Sequence, residues 1–211
     1  MKLYDCKIAP NPRRVRIFLA EKGIRLDTVE VDILGGENLG EAYRRINPRG
    51  LLPLLELDDG TRIDEVVAIC RYFEEVQPEP PLLGTDPRSK ALVVSRQRHM
   101  EFDGMIAASE VFRNSAPAFA QRSLPGAAAA GVAAIPQLVE RGRRTLEHCF
   151  GELERYLGQS EFVAGDRFSL ADITALCTVD FAGWAKIKVP EHHLNTHRWY
   201  KAVSARPSAA A

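Results

Sequence analysis

Residues 77–88, QPEPPLLGTDPR, divide the chain into two stretches of different hydrophobic periodicity. Four prolines and a glycine in twelve residues stop any helix or central strand that runs into them. Ahead of this segment, short strand-like and helix-like patterns alternate. Behind it, every pattern is helical. A chain of this kind folds as a small α/β unit followed by an all-helical one. The boundaries read as 1–78, a linker 79–87, and 88–211.

Within the first unit, residues 2–6 read as a strand. Residues 11–22 read as a helix with Val15, Phe18 and Leu19 on one face and Gly23 as the stop. Residues 28–33 (TVEVDI) alternate as a strand should, and 37–46 read as a second helix closed by Asn47-Pro48. Residues 52–57 and 61–63 form a hairpin around Asp59-Gly60. A helix over 65–76 follows, turning Ile69, Tyr72, Phe73 and Val76 inward. A β-α-β crossover joined to a hairpin gives a mixed four-stranded sheet with helices against it.

The second unit reads as one long helix over 89–112, an Ala/Gly-rich loop over 124–134, and a helix over 137–157 with Arg141, Arg143 and Arg144 on its solvated side. Phe168-Ser169-Leu170-Ala171-Asp172-Ile173 is a helix start. Ser169 caps, Asp172 reaches back to the cap, and Phe168 and Ile173 hold the staple positions. Asp172 therefore has a structural role.

Charge narrows the function. Lysines plus arginines number 28 and acids number 28, so no net positive field is available for a phosphate backbone and nucleic acid is not an expected partner. Cys6, Cys70, Cys149 and Cys177 form no CxxC pair, which argues against a zinc site or a disulfide framework and for a reducing, cytoplasmic setting. No leader sequence and no run of eighteen apolar residues is visible, so no membrane association is expected. His193 and His197 are four apart, as in some metal sites, but nothing nearby supports them and they read as surface residues. No metal is expected.

Three features suit a ligand. Pro53 interrupts an apolar strand pattern and marks an edge, a bulge or a cis bond. A cis bond would turn the backbone N–H and C=O of Leu52 outward, where an extended peptide can pair with them. The helix at 65–76, with Asp64 as N-cap, leaves free amides at Val66 and Val67 for a carboxylate, and Glu65 offers a countercharge to an amine. The helix at 11–22, with Asn11 as N-cap and Pro12 as first helical residue, can stabilise an anion such as a thiolate. Ordinary capping and an edge proline account for each feature alone. Together they converge on one edge of the small domain.

At these residues the chain resembles the cytosolic glutathione transferase family. APNPRRVRIFLAEKGI (9–24) resembles the family's first helix, and NPRGLLPLL (47–55) its Asn-Pro-x-Gly-x-x-Pro segment with the cis proline at Pro53. DEVVAICRYFEE (64–75) resembles the third helix. FVAGDRFSLADI (162–173) resembles the capped helix of the second domain, and RWYKAVSARPS (198–208) the C-terminal segment. Bacterial members with a threonine or serine and an asparagine near the thiol are the most similar.

The resemblance implies a thioredoxin-like N-terminal domain, a helical C-terminal domain and a homodimer. It implies glutathione as co-substrate, with Leu52 pairing the cysteinyl backbone and the Glu65-Val66 turn holding the γ-glutamyl end. A small hydrophobic electrophile or a disulfide would bind between the domains, in the manner of a detoxification enzyme. His99, Phe102, Asp103, Met105, Ile106 and Phe112 are candidates for that wall.

The chain also departs from the family. Val66 stands where a serine is usual. The lost hydroxyl is worth roughly 1.5–3 kcal/mol to a bound carboxylate. The usual hydroxyl that activates the thiol is replaced by Ala9, with Ile8 and Pro12 alongside. Asn11 is then the expected thiolate donor, with Cys6 as a second candidate for thiol chemistry and Tyr4 as a core residue. Arg13, Arg14 and Arg16 could steer an anion, at least two of them lying on a solvated face. The leading expectation is a glutathione transferase. The alternative is a glutathione-binding or protein-interaction module of the same fold without catalysis.

Overall fold

The computed structural model describes residues 1–126 and 131–211. Four strands, β1 (Lys2–Asp5), β2 (Asp27–Glu30), β3 (Leu54–Glu56) and β4 (Arg62–Asp64), form one sheet in the order β2-β1-β3-β4. Helix α1 (Pro10–Glu21) connects the parallel pair β1 and β2, and β3 runs antiparallel to β1 and β4. Side chains alternate between the two faces of a strand. Leu3 and Leu55 join a core with α1 and α3 (Val66–Val76), while Tyr4 and Leu54 enter a smaller cluster with Cys6, Val31, Leu52 and Tyr43 of α2 (Glu41–Ile46). The mixed four-stranded, thioredoxin-like arrangement is present.

Some local expectations are corrected. β2 ends at Glu30, and all four of its residues are exposed because it is an edge strand paired only with β1. The helix read over 37–46 is a 3-10 turn (Glu37–Leu39) followed by α2, because Gly40 is extended at φ −69°, ψ 156°. In α3 the buried set is Val66, Ile69, Cys70 and Phe73, a spacing of three and four that leaves Val76 exposed at the end.

The second domain holds α4 (Pro87–His99), a π-helical segment (Met100–Ile106), α5 (Ala107–Ser115), α6 (Pro136–Leu157), α7 (Leu170–Trp184) and α8 (Leu194–Ser204). The long helix read over 89–112 is therefore continuous in path but widened in its middle. Gly104 lies against α7 there, and a Cβ added to it would sit 2.6 Å from Thr178 Cγ2. The Thr178 hydroxyl donates to the carbonyls of Thr174 (2.9 Å) and Met100 (3.3 Å), the second of which begins the π segment. Such π turns recur where a side chain intrudes on the helical ladder. Of the loop read over 124–134, residues 127–130 lie outside the described residues.

Helix α7 starts as expected. Ser169 caps it, and the Asp172 carboxylate accepts from the Ser169 N–H (3.0 Å), the Val163 N–H (2.9 Å) and Trp199 Nε1 (2.9 Å). Burial pushes the Asp172 carboxyl up to about 6, against the pull of these donors. No helix among the described residues is long and apolar enough to cross a membrane.

Helix α1 carries the domain contact. Arg13 pairs with Asp180 at 2.5 Å, Arg14 with Glu101 at 2.9 Å, and Glu21 with Arg206 at 2.7 Å. Arg16 pairs with Asp5 at 2.6 Å and donates to the Lys7 carbonyl. None of the three arginines lies on a solvated face, contrary to expectation, because each has an acid within reach in the folded chain. The linker is held by Lys22. Its ammonium is buried, pairs with Glu74 at 2.7 Å, and donates to the carbonyls of Gln77 and Pro80 at 2.8 Å each.

Candidate functional site

Strand register brings three chain segments to one end of the sheet. Tyr4 pairs with Leu54, and Leu54 with Asp64. The segment leaving β1 toward α1, the segment entering β3 and the segment leaving β4 toward α3 therefore emerge side by side. The Leu52-Pro53 bond is cis. The backbone N–H and C=O of Leu52 have no hydrogen-bond partner among the described residues. The preceding carbonyl, of Leu51, accepts from Tyr43 Oη (2.8 Å) and Asn47 Nδ2 (2.9 Å), and Asn47 Oδ1 accepts from the Arg49 N–H (3.1 Å). Leu52 thus presents unpaired backbone groups from an anchored loop.

At the start of α3 the cap is Glu65 and not Asp64, which is taken up by the β4 ladder. Glu65 sits at φ 67°, ψ 130°, a conformation an L side chain rarely adopts. Its carbonyl accepts from the Ile69 N–H, and the amides of Val66, Val67 and Ala68 have no partner among the described residues. Val66 itself is buried. Arg49, which sequence reading passed over, spans this turn from the other side, with Nη1 2.6 Å from Glu65 Oε1 and 3.2 Å from Asp64 Oδ2. All three side chains are open to solvent. Such a pair contributes little to stability, so a ligand ammonium can compete for Glu65.

The start of α1 corrects the role expected of Asn11. The cap is Ala9, and the helix opens at Pro10, one residue earlier than read, because Pro10 suits the first helical position as well as Pro12 does. Asn11 is the second helical residue and does not cap. Pro10 and Pro12 have no N–H, and the Arg13 N–H is spent on the Ala9 carbonyl at 3.2 Å. Asn11 therefore supplies the one unpaired backbone donor of the first turn among the described residues, at the positive end of the helix dipole. Its side chain is exposed, and its Oδ1 accepts from Arg14 Nη1 at 3.0 Å.

Cys6 lies behind this turn and is buried, with its carbonyl accepting from the Ala9 N–H. Burial pushes its thiol above the ordinary range. A buried, protonated thiol is not a nucleophile, which corrects its candidacy. Tyr4 is a core residue, as expected, with its hydroxyl 3.4 Å from Glu56.

Of the expected electrophile wall, Phe102 and Ile106 are about half exposed, four residues apart on the π segment. Glu101, just before Phe102, reaches α1 through Arg14, which sets this segment against the first turn of α1. The Arg98 guanidinium covers one face of Phe102 at 3.9 Å. Met105 is buried in the core, and Phe112 packs among Phe119, Phe181 and Trp184 with centroids 5.5–5.9 Å apart. Met105 offers no free surface, whereas Phe112 is partly buried and keeps some of its ring at the edge of this aromatic cluster. His99 turns its Nδ1 to Tyr156 Oη at 2.9 Å. His197 Nε2 contacts the Pro190 carbonyl, and no group of three or more His, Cys, Asp or Glu among the described residues is placed to hold a metal.

The family model described as glutathione S-transferase, N-terminal domain, matches residues 8–76, and that for the glutathione S-transferase C-terminal domain matches residues 116–207. The chain belongs to the glutathione S-transferase family. Glutathione S-transferase 2 of Saccharomyces cerevisiae is 32% identical, over 99% of this chain and 87% of the relative. FtsZ-localized protein A of Caulobacter vibrioides is 30% identical, over 97% and 87%. The crystal structure of a glutathione S-transferase domain-containing protein from Marinobacter aquaeolei superimposes with a TM-score of 0.89 at 36% identity, covering 99% of both chains.

Proposed function

We propose that the protein is a glutathione transferase that binds glutathione at the sheet end and stabilises its thiolate with Asn11. The observation that carries this reading is the unpaired backbone of Leu52 on a loop anchored by Tyr43 and Asn47. An extended cysteinyl residue would satisfy both groups, as an added strand does. The unpaired amides after Glu65 accept the γ-glutamyl carboxylate, and the Glu65 carboxylate takes the ammonium, sharing it with Arg49. Pro53 fixes the loop between them. Asn11 is free of capping and offers two kinds of donor, its backbone N–H and its side-chain amide, to the sulfur. Phe102 and Ile106 form the apolar side on which a small electrophile or disulfide meets the thiolate.

The chemistry is nucleophilic attack by a positioned, ionised thiol. In conjugation the sulfur forms a bond to carbon and the leaving group departs with its electron pair. In disulfide reduction the sulfur attacks one sulfur and expels the other as thiolate. We place the protein in the cytoplasm as a homodimer.

An ultraviolet difference titration with glutathione just below neutral pH tests the reading, since it reports binding and thiolate formation together. A saturable thiolate signal that Asn11→Ala abolishes is expected. Saturable heat without a thiolate signal would leave a glutathione binder, and no binding at millimolar ligand would overturn the proposal. A non-catalytic interaction role has one specific observation in its favour, the 30% identity to a relative named for its localisation with FtsZ.

A further inference from the structure

We propose that Arg14 is a positioning residue that sets which end of the Asn11 amide faces the ligand. The inference rests on the reading of Asn11 as thiolate donor given above. An asparagine amide has an oxygen that accepts and a nitrogen that donates, and it serves a thiolate only when the nitrogen faces the sulfur. In an exposed asparagine nothing decides the orientation, and the oxygen end would repel the anion.

Arg14 decides it. A guanidinium has donors and no acceptor, so the atom of Asn11 that meets Arg14 Nη1 at 3.0 Å must be the oxygen. The amide nitrogen is left on the opposite side. The two residues are three apart on α1 and so share a face of the helix.

Arg14 is itself immobile. It is 1% exposed, and the same Nη1 that holds Asn11 is 2.9 Å from Glu101 Oε1. Glu101 is fixed in turn by Gln97 Nε2 at 3.0 Å and Arg98 Nη1 at 2.5 Å. Burial favours protonating Glu101, but Arg14, Gln97 and Arg98 together hold it below the usual carboxylate range. The contact crosses from the first domain to the π segment of the second. It joins the residue proposed to ionise the thiol to the segment bearing Phe102 and Ile106.

The arrangement is a poor one for packing alone. Arg14 Nε and Nη2 are buried without a hydrogen-bond partner among the described residues. Unpaired buried donors are unfavourable, and an apolar side chain of similar volume is often as stable as a buried ion pair. A guanidinium whose used nitrogen touches the site residue directly is accounted for by orientation of that residue.

The test is a double-mutant cycle on the intact protein, read as the pH profile of bound-glutathione thiolate absorbance. Asn11→Ala, Arg14→Met and the double variant are compared with the parent. Arg14→Met takes from Glu101 one of its two arginine partners and leaves it Arg98 and Gln97, so Arg14→Met with Glu101→Gln is carried alongside and read in its place if the single variant does not fold. The expected result is that Arg14→Met raises the thiol pKa by about one unit, a tenfold loss of thiolate near neutral pH. Affinity for glutathione, measured below the bound thiol's pKa where the protonated form is the one bound, stays within about twofold, because a lost thiolate interaction does not touch the thiol form. Adding Arg14→Met to Asn11→Ala then changes nothing further. Full additivity, or an unchanged pKa in Arg14→Met while Asn11→Ala shifts it, overturns the role of Arg14 and leaves that of Asn11 standing. An unchanged pKa in Asn11→Ala removes both.

Discussion

Replacing Glu65 with glycine is expected to stabilise the protein and weaken it as a glutathione binder. Glu65 holds φ at 67° with ψ at 130°, and a non-glycine residue held in such a sparsely populated region stores about 1–3 kcal/mol. Glycine releases that strain. Against it stand the greater freedom of glycine in the unfolded chain, about 0.4–1 kcal/mol, and the loss of the solvent-exposed pair with Arg49, about 0–1 kcal/mol. The balance is a gain of about 1 kcal/mol. Binding moves the other way, because the ammonium of the γ-glutamyl group loses its carboxylate. A hydrogen bond to a charged group is worth about 1.5–3 kcal/mol, so affinity falls about ten- to a hundredfold. Glu65→Ala separates the two effects. It loses the same carboxylate but keeps the strained backbone, so its affinity matches Glu65→Gly while its stability does not rise. Urea unfolding and calorimetric titration of glutathione on both variants measure the two quantities. The reasoning is refuted if the glycine variant is no more stable than the alanine variant, or if either binds glutathione as tightly as the parent.

Three further outcomes are expected. Val66→Ser restores a hydroxyl beside the proposed carboxylate position and tightens glutathione binding about tenfold or more, while loss of its buried methyl groups lowers stability by about 1–2 kcal/mol; calorimetry and urea unfolding check the pair. Asp172, with its folded-state carboxyl at about 6, lies above the unfolded value of about 3.9, so the folded chain binds the extra proton between these limits. Its contribution is complete below about pH 4 and is lost as pH rises through 6, with a slope of up to about 1.4 kcal/mol per pH unit; Asp172→Asn, compared by denaturation between pH 4 and 7, should remove that slope and lower stability by about 2–3 kcal/mol, since its amide nitrogen must face a donor. Gly104→Ala drives a Cβ to within 2.6 Å of Thr178 Cγ2 and should cost about 1–3 kcal/mol by overpacking, with a large part recovered by Thr178→Ser; thermal melts of the three variants decide it.

The fold was legible because its signals are local. Alternation, the Asp59-Gly60 turn and the capping box at Ser169 each sit within a few residues. The cis bond expected at Pro53 rested on the family motif around it, and the start of the third helix was legible to within one residue, its cap being Glu65 and not Asp64. What the sequence left open depends on distant partners or on degenerate local choices. Pro10 and Pro12 both suit a helix start, so the cap fell on Asn11 instead of Ala9. Arg14 looks like any surface arginine until Glu101, 87 positions away, closes on it. Arg49 acquires its acids only through the β3-β4 hairpin. The π segment leaves almost no trace, since a widened turn shifts the helical period over only two turns of chain. Met105 misled because this stretch carries apolar residues on its exposed side, at Phe102 and Ile106, as well as on its buried one.

The charges that α1 sends into the second domain have a mechanical consequence. Arg13, Arg14 and Glu21 each end on an acid or base of the other domain, and Lys22 fastens the linker beside them. Separating the halves would strand several ions away from their partners at once, in addition to parting a hydrophobic core that runs through both. Hinge opening, the default motion of two-domain chains, is thereby suppressed. A protein assembled from two architectures should melt as one body, with a single calorimetric transition and amide exchange in β1 and α7 lost together.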